Sequence, residues 1–227
     1  KSNPPTMYIP PYYKNKDKEA IEQFVVANSF AVLVVNGPSA PLAVHTPLQL
    51  KIQPNGAYLL LGHVSKANPI WKHFDGEQQV LAIFSGAHHY ISPSWYSHKN
   101  VPTWNYTSVH MYGKVSVLSK EQTEMMLREM MGHYEQQFAE RPQQFDEIPH
   151  KMLQQDLAGV VAFEITVEQV DAANKLSQNR DVQSFENIVT QLEKLDTHEA
   201  GNLAAEMKKI SAHKNKHHDD TGGPKSS

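Results

Sequence analysis

Residues 30–61 read FAVLVVNGPSAPLAVHTPLQLKIQPNGAYLLL, and three apolar segments with two breaks between them decide the fold class. Phe30 to Val35 is a short, unbroken apolar run rich in Val, the pattern of a buried strand. Leu42, Val44, Thr46, Leu48 and Leu50 then fall on alternate positions, which predicts a second strand with one face covered. Gln53-Pro54-Asn55-Gly56 is a turn, and Ala57 to Leu61 is the returning strand. Together they predict a β-meander.

Working outward, Asp17 can cap a helix whose Ile21, Phe24 and Val25 share a face. Lys1 to Thr6 reads as a flexible leader, with Met7 as a native start. Downstream, Asn68-Pro69 is an N-cap followed by proline at the first helical position, opening a short helix to Phe74. Val80 to Phe84 is the next strand, residues 86–107 read as an irregular aromatic stretch, and Val109 to Leu118 alternates again. Ser119 and Gln122 form a capping box. The helix it opens carries Leu127, Met131, Tyr134 and Phe138 along one face and stops before Pro142. Val160 to Val167 is the last clear strand. Two amphipathic helices follow, one capped by Asp181 with Phe185, Ile188, Val189, Leu192 and Leu195. The other is capped by Asp196 with Glu199 and carries Leu203, Met207 and Ile210.

These elements predict an α+β chain built on an antiparallel β-barrel with a helical C-terminal extension. It reads as one domain over residues 7–210, the helices at 181–210 being its extension, with flexible ends at 1–6 and 211–227. No internal repeat is present.

The chain has 227 residues, 40% hydrophobic and 20% charged, the composition of a globular protein with a core of its own. Cysteine is absent, so disulfides, thiolate zinc, iron–sulfur ligation and cysteine nucleophiles are all excluded. Phe24 to Val35 is interrupted by Asn28 and Ser29 and falls short of the ~20 residues a membrane helix needs. No secretory signal pattern is visible, and the reading is a cytoplasmic protein with no membrane partner. With 21 Lys+Arg against 24 Asp+Glu the formal charge is -3, unlike that of a bare nucleic-acid binder. The motifs of P-loops, Rossmann dinucleotide sites, α/β-hydrolases and zincins are missing, and no catalytic residue can be named. The chemistry points to a cofactor.

Three constellations carry information. In His63-Val64-Ser65-Lys66-Ala67-Asn68-Pro69, a hydroxyl and an ammonium precede a helix N-terminus, the make-up of an anion cradle suited to a phosphate monoester. The same residues also fit an ordinary capped helix with an exposed Lys66. In YISPSWY (90–96) and VPTWNY (101–106), two of the three Trp lie among prolines, small hydroxyls and Asn. That mixture suits a planar heteroaromatic ligand, or a loop packed over a barrel end or a dimer interface. In KLSQNR (175–180), two cations flank three hydrogen-bonding side chains. Histidine is abundant at 13, but His88 and His89 adjoin and point apart in a strand. His45 and His110 lie on strands, where a satisfied sheet histidine is the simpler reading, and no metal site is assigned.

Taken together, Met7-Tyr8-Ile9-Pro10-Pro11, Gly62-His63-Val64, Ala67-Asn68-Pro69, YISPSWY, VPTWNY, Val109-His110 with Gly113, and KLSQNR resemble the PaiB-like FMN-binding negative transcriptional regulators. The resemblance covers about residues 7 to 210. It implies a Greek-key split β-barrel like that of the pyridoxamine-phosphate oxidases, a homodimer, and FMN held in grooves at the subunit interface. Ser65 and Lys66 match the phosphate-gripping positions, beside His63 and Asn68. His45 and Thr46 would run beside the isoalloxazine, and the oxidases carry a cation where this chain has His45. KLSQNR looks like the oxidases' C-terminal basic segment. The implied FMN site therefore comprises His45, Thr46, His63, Ser65, Lys66, Asn68, Thr103, Asn105, Lys175, Ser177, Gln178 and Arg180, with Lys175 and Arg180 closing it from elsewhere in the dimer.

Three functions compete: a flavin-dependent redox or regulatory protein linked to negative transcriptional regulation, a flavin oxidoreductase without that role, and a haem-binding or haem-degrading split barrel with His63 or His110 as ligand. If the protein is an enzyme, it is an FMN-dependent oxidoreductase. Direct DNA binding by the helix pair from Val182 to Ile210 is not expected. From Asp181 onward that pair carries six acids against three bases, and it would repel phosphate.

Overall fold

In the computed structural model, which describes residues 7–219 with side chains up to residue 210, the stretch 30–61 forms four strands rather than three. β1 (Phe30–Asn36) and β2 (Pro41–Pro47) make a hairpin, with Phe30 opposite Pro47 and Asn36 opposite Pro41. The alternation expected to run to Leu50 stops at Leu48. That side chain is buried, and its N–H donates to the Ser29 carbonyl at 2.8 Å, so the chain turns there. β3 (Gln49–Ile52) then pairs with β4 (Tyr58–Ser65) across the QPNG turn.

The remaining strands are β5 (Asp75–Ile91), β6 (Thr103–Val117) and β7 (Val160–Lys175). The seven-stranded sheet has the order β2-β1-β5-β6-β7-β4-β3. β2 and β3, neighbours in the chain, thus stand at opposite ends of the sheet, and the expected meander is corrected to two separate hairpins. Thr46 on β2 donates from Oγ1 to the His63 carbonyl on β4 at 2.8 Å. Strands from the two ends of the order therefore meet, and the sheet curls into a barrel.

Much of the stretch read as irregular, residues 86–107, is strand. β5 continues to Ile91 and β6 begins at Thr103, and between them only one short 3-10 turn, Pro93–Trp95, forms. The aromatic residues that marked this stretch as irregular are among those that pack best on a pleated surface.

The chain divides into two compact units. One comprises Lys18–Phe84 and Val109–Val170. Its core holds Leu33, Leu60, Phe84, Met111, Phe163 and Ile165, all fully buried, with Phe74 edge-on to Phe163 at 4.9 Å. Gly62 sits where a Cβ would lie 2.7 Å from Leu48 and 2.8 Å from Phe163, so only glycine lets β4 lie this close to its neighbours. This unit also carries α1 (Lys18–Ala27) and α2 (Lys120–Phe138). α2 opens on the expected capping box: the Gln122 N–H donates to Ser119 Oγ at 3.2 Å, and the Ser119 N–H donates to Gln122 Oε1 at 2.9 Å. Its buried residues are Thr123, Met126 and Met130, whereas Phe138, expected on the inner face, is 73% exposed. α3 (His150–Gly159) was not anticipated. Only Leu157 of it is buried, so the sequence offers no apolar stripe to read.

The other unit comprises, among the described residues, 7–17, 85–108 and 171–219. In it α4 (Val182–Lys194) and α5 (His198–Asp219) bury Ile188, Val189 and Leu192 with Leu203, Ala204 and Met207, together with Ile91, Tyr96 and Leu176. Asp181 caps α4 as expected, accepting from the Ser184 N–H at 2.8 Å. The cap of α5 is corrected from Asp196 to Thr197, whose Oγ1 accepts from the Ala200 N–H at 3.3 Å. Asp196 instead takes a left-handed φ of 49°, ending the link between the helices. The backbone of α5 continues past Ile210 to Asp219, into the stretch read as a flexible end. The leader 1–6 and residues 220–227 lie outside the described residues.

Candidate functional site

The first set of expected site residues lies in the barrel unit. Ser65 ends β4, opposite Val160 of β7, and the chain then turns sharply. The Lys66 N–H donates to the Gly159 carbonyl at 2.8 Å and the Asn68 N–H to the Ser65 carbonyl at 2.9 Å. The Ala67 N–H donates to Ser65 Oγ at 3.3 Å, and the Ile70 N–H to Asn68 Oδ1 at 3.0 Å. The helix Asn68 caps is a 3-10 segment of five residues, Pro69–His73. Its first amides are thus satisfied internally, and the expected backbone cradle is corrected. What remains for an anion is the Ser65 O–H and the exposed Lys66 ammonium, which has no carboxylate within 4 Å among the described residues. That pair fits a phosphate: two donors, one of them charged, with no acid competing for them.

Trp71 belongs to the same turn, and the sequence reading passed over it. Its indole Nε1–H donates to the Lys66 carbonyl at 3.0 Å and holds the turn that presents the lysine. The available signal was an aromatic residue three positions after the cap.

His63, on β4, is half-buried, and its Nδ1 is buried without a hydrogen-bond partner. Burial pushes its pKa below the ordinary 6.5. Thr46 is buried and spent on the His63 carbonyl. His45 is exposed on β2 and stacks on Phe30, ring centroids 5.9 Å apart.

The second set lies in the other unit, around the end of β7. Asn105 and Ser177, both buried, exchange two hydrogen bonds: Asn105 Nδ2 donates to Ser177 Oγ at 3.0 Å, and that Oγ donates to Asn105 Oδ1 at 3.1 Å. Ser177 has a left-handed φ of 58°, unusual for a residue other than Gly, Asn or Asp, and the Asn105 pair holds it there. Gln178 accepts the Leu176 N–H at 2.8 Å and donates to the carbonyls of Tyr12, at 3.1 Å, and Asn174. The Lys175 ammonium donates to Thr103 Oγ1 at 2.8 Å. The guanidinium of Arg180 lies 5.2 Å from the Tyr96 ring centroid. In KLSQNR the middle residues thus serve the turn itself, and the flanking cations carry the free hydrogen-bonding capacity.

Residues 7–169 match the family model described as "Putative FMN-binding domain". The chain belongs to this FMN-binding family. The matched span includes the Ser65–Lys66 turn and ends before KLSQNR. Across 201 residues, 88% of this chain and 96% of the relative, the chain is 41% identical to the protease synthase and sporulation protein PAI 2 of Bacillus subtilis (strain 168). Among solved structures, it resembles the FAD and heme binding protein from Mycobacterium smegmatis at a TM-score of 0.54, with 12% identity over 78% of this chain and 80% of that one. It also resembles the flavocytochrome Anf3 from Azotobacter vinelandii at 0.52, with 14% identity over 72% and 69% of the two chains. These likenesses identify the architecture as a split barrel. The protein is a flavin-binding split-barrel member of the PaiB type. No helix among the described residues is long and apolar enough to cross a membrane.

Proposed function

We propose that the protein holds FMN by its phosphate at the Ser65–Lys66 turn and works as a homodimeric redox or regulatory flavoprotein. The observation that carries the reading is the exposed Lys66 ammonium, unpaired with any described acid and next in the chain to Ser65, whose O–H is left to donate, inside the span that matches the family. Bound FMN would supply one- or two-electron transfer. The protein's own contribution is to grip the phosphate, with Trp71 fixing the turn, and to offer His45 and His63 as neighbouring polar groups. Lys175, steadied by Thr103, is the cation that a second copy would contribute. A role in negative regulation is supported by the PaiB-type resemblance, and it would act through the flavin state or a protein partner rather than an acidic helix pair meeting DNA.

The test is a paired titration with FMN and riboflavin, followed by attempted reduction with NADPH and NADH. FMN should bind more tightly than riboflavin, with the preference lost in Lys66→Ala. Equal weakening of both ligands would reveal a folding defect and remove the phosphate assignment. Haem is the second reading, favoured by the half-buried His63 whose Nδ1 lacks a partner. The absorption spectrum of the purified protein separates the two, since flavin bands and a Soret band differ plainly.

A further inference from the structure

In the unit containing KLSQNR, the half-buried Arg180 cation has no carboxylate counterpart within 4 Å among the described residues, and its one ring contact is the face of Tyr96. The neighbouring acid is engaged elsewhere: Asp181 accepts from the Ser184 N–H at 2.8 Å and from Ser97 Oγ at 3.2 Å, and lies 3.8 Å from His98. Two tyrosine hydroxyls share the neighbourhood. Tyr96 is only 7% exposed, and its buried Oη has no hydrogen-bond partner. Tyr13 donates from its Oη one long hydrogen bond, 3.3 Å, to Oδ1 of Asn179, the residue next to Arg180 in the chain. A buried hydroxyl without an acceptor and a half-buried guanidinium without an anion each represent an unmet demand of the same sign. An oxyanion meets both.

We propose that Arg180, Tyr96 and Tyr13 form a binding site for a carboxylate or phosphate group of a small-molecule substrate or effector, in place of the FMN-closing role that the family resemblance implies for Arg180. The guanidinium offers paired N–H donors in a plane, the geometry that matches an oxyanion with two oxygens. The Tyr96 ring and the Arg180 N–H bond to the Ser177 carbonyl, 3.0 Å, hold the arginine in place. The left-handed Ser177 turn locked by Asn105 fixes the backbone from which it projects. Asn105 and Ser177 are thus positioning residues for this site.

The experiment titrates the full-length, FMN-loaded protein separately with inorganic phosphate and with acetate, using sodium chloride at matched ionic strength as control, and reads the backbone amide NMR signals of Arg180 and its chain neighbours, which every variant retains. Saturable binding of either anion is expected, and the tighter of the two identifies the class. Arg180→Gln should weaken it by about tenfold or more, the worth of a charge-assisted contact. Arg180→Lys should restore only part of the affinity, since an ammonium lacks the fork. Tyr96→Phe is the control for folding. Removing an unsatisfied hydroxyl should leave thermal stability equal or higher in anion-free buffer while lowering anion affinity several-fold, measured on the same amide signals. Shifts no larger than those with chloride, or an unchanged anion affinity in Tyr96→Phe, would overturn the proposal. So would competition between the anion and FMN, which would place Arg180 in the cofactor site. Loss of FMN selectivity in Lys66→Ala is read independently, so failure of the FMN reading is distinguishable from failure of this one.

Discussion

Lys66 and Ser65 show how little of a cradle a five-residue 3-10 segment supplies. With the amides of Lys66, Ala67, Asn68 and Ile70 all committed, phosphate affinity falls to two side chains. A charge-assisted hydrogen bond contributes about 1.5–3 kcal/mol, and exposure of the ammonium favours the lower end. Lys66→Ala should therefore weaken FMN about tenfold and leave riboflavin nearly unchanged, as read by flavin fluorescence titration. His63 gives a pH signature. Its folded pKa lies below the ordinary 6.5, so below that pH the unfolded chain binds more protons than the native one. Stability should fall as the pH drops from 7 through 6.5 toward the lowered folded value. His63→Gln should flatten that part of the curve in denaturant titrations at several pH values. An identical slope in both proteins would mean that His63 is not the source.

At the scale of elements, the ends of α2 and the β6–β7 contact are the sensitive points. Ser119→Ala removes one half of a reciprocal cap and should cost about 1 kcal/mol, measured as a shift in the denaturant midpoint with unchanged slope. At Gly113 on β6, a Cβ would lie 2.2 Å from the Thr166 carbonyl oxygen on β7, and backbone on both sides leaves no flexible atom to move aside. Gly113→Ala should thus destabilise the protein by more than the Ser119 change. A Tm equal to wild type would show that the strands can separate at that point without loss.

For the whole molecule, the exposed aromatic residues matter. Tyr90 and Trp104 are each over two-fifths exposed, and Trp104 has His88 and Tyr90 as ring neighbours at 6.0 Å and 6.2 Å. Such a cluster on the solvent side of β5 and β6 favours coverage by a second copy. Sedimentation at micromolar concentration should give a dimer, and Trp104→Ser should shift the equilibrium toward monomer. A wild-type monomer would remove the shared-groove arrangement. Sequence-specific DNA binding at physiological salt should be weak or absent. Tight binding lost on deletion of α4 and α5 would defeat the charge argument against that pair.

The sequence by itself determined the antiparallel strand content, the caps at Ser119 and Asp181, the Asn68 turn and the family, because each rests on local chemistry or on a contiguous motif. An N-cap needs only its own next three residues, and YISPSWY with VPTWNY is readable letter by letter. Tertiary structure alone decided the rest. Whether β2 and β3 adjoin depends on Leu48 being drawn into the core and on β4 finding β7, contacts between residues up to about a hundred positions apart. That Asn105, Ser177 and Gln178 serve the fold while Lys175 and Arg180 stay available could not be read from KLSQNR. Their partners Thr103 and Asn105 come from one distant strand, β6, and Tyr12 from the N-terminal segment. A polar side chain's role is set by which partner folding brings to it, and for the Lys175–Thr103, Ser177–Asn105 and Gln178–Tyr12 bonds that partner lies far away in the sequence.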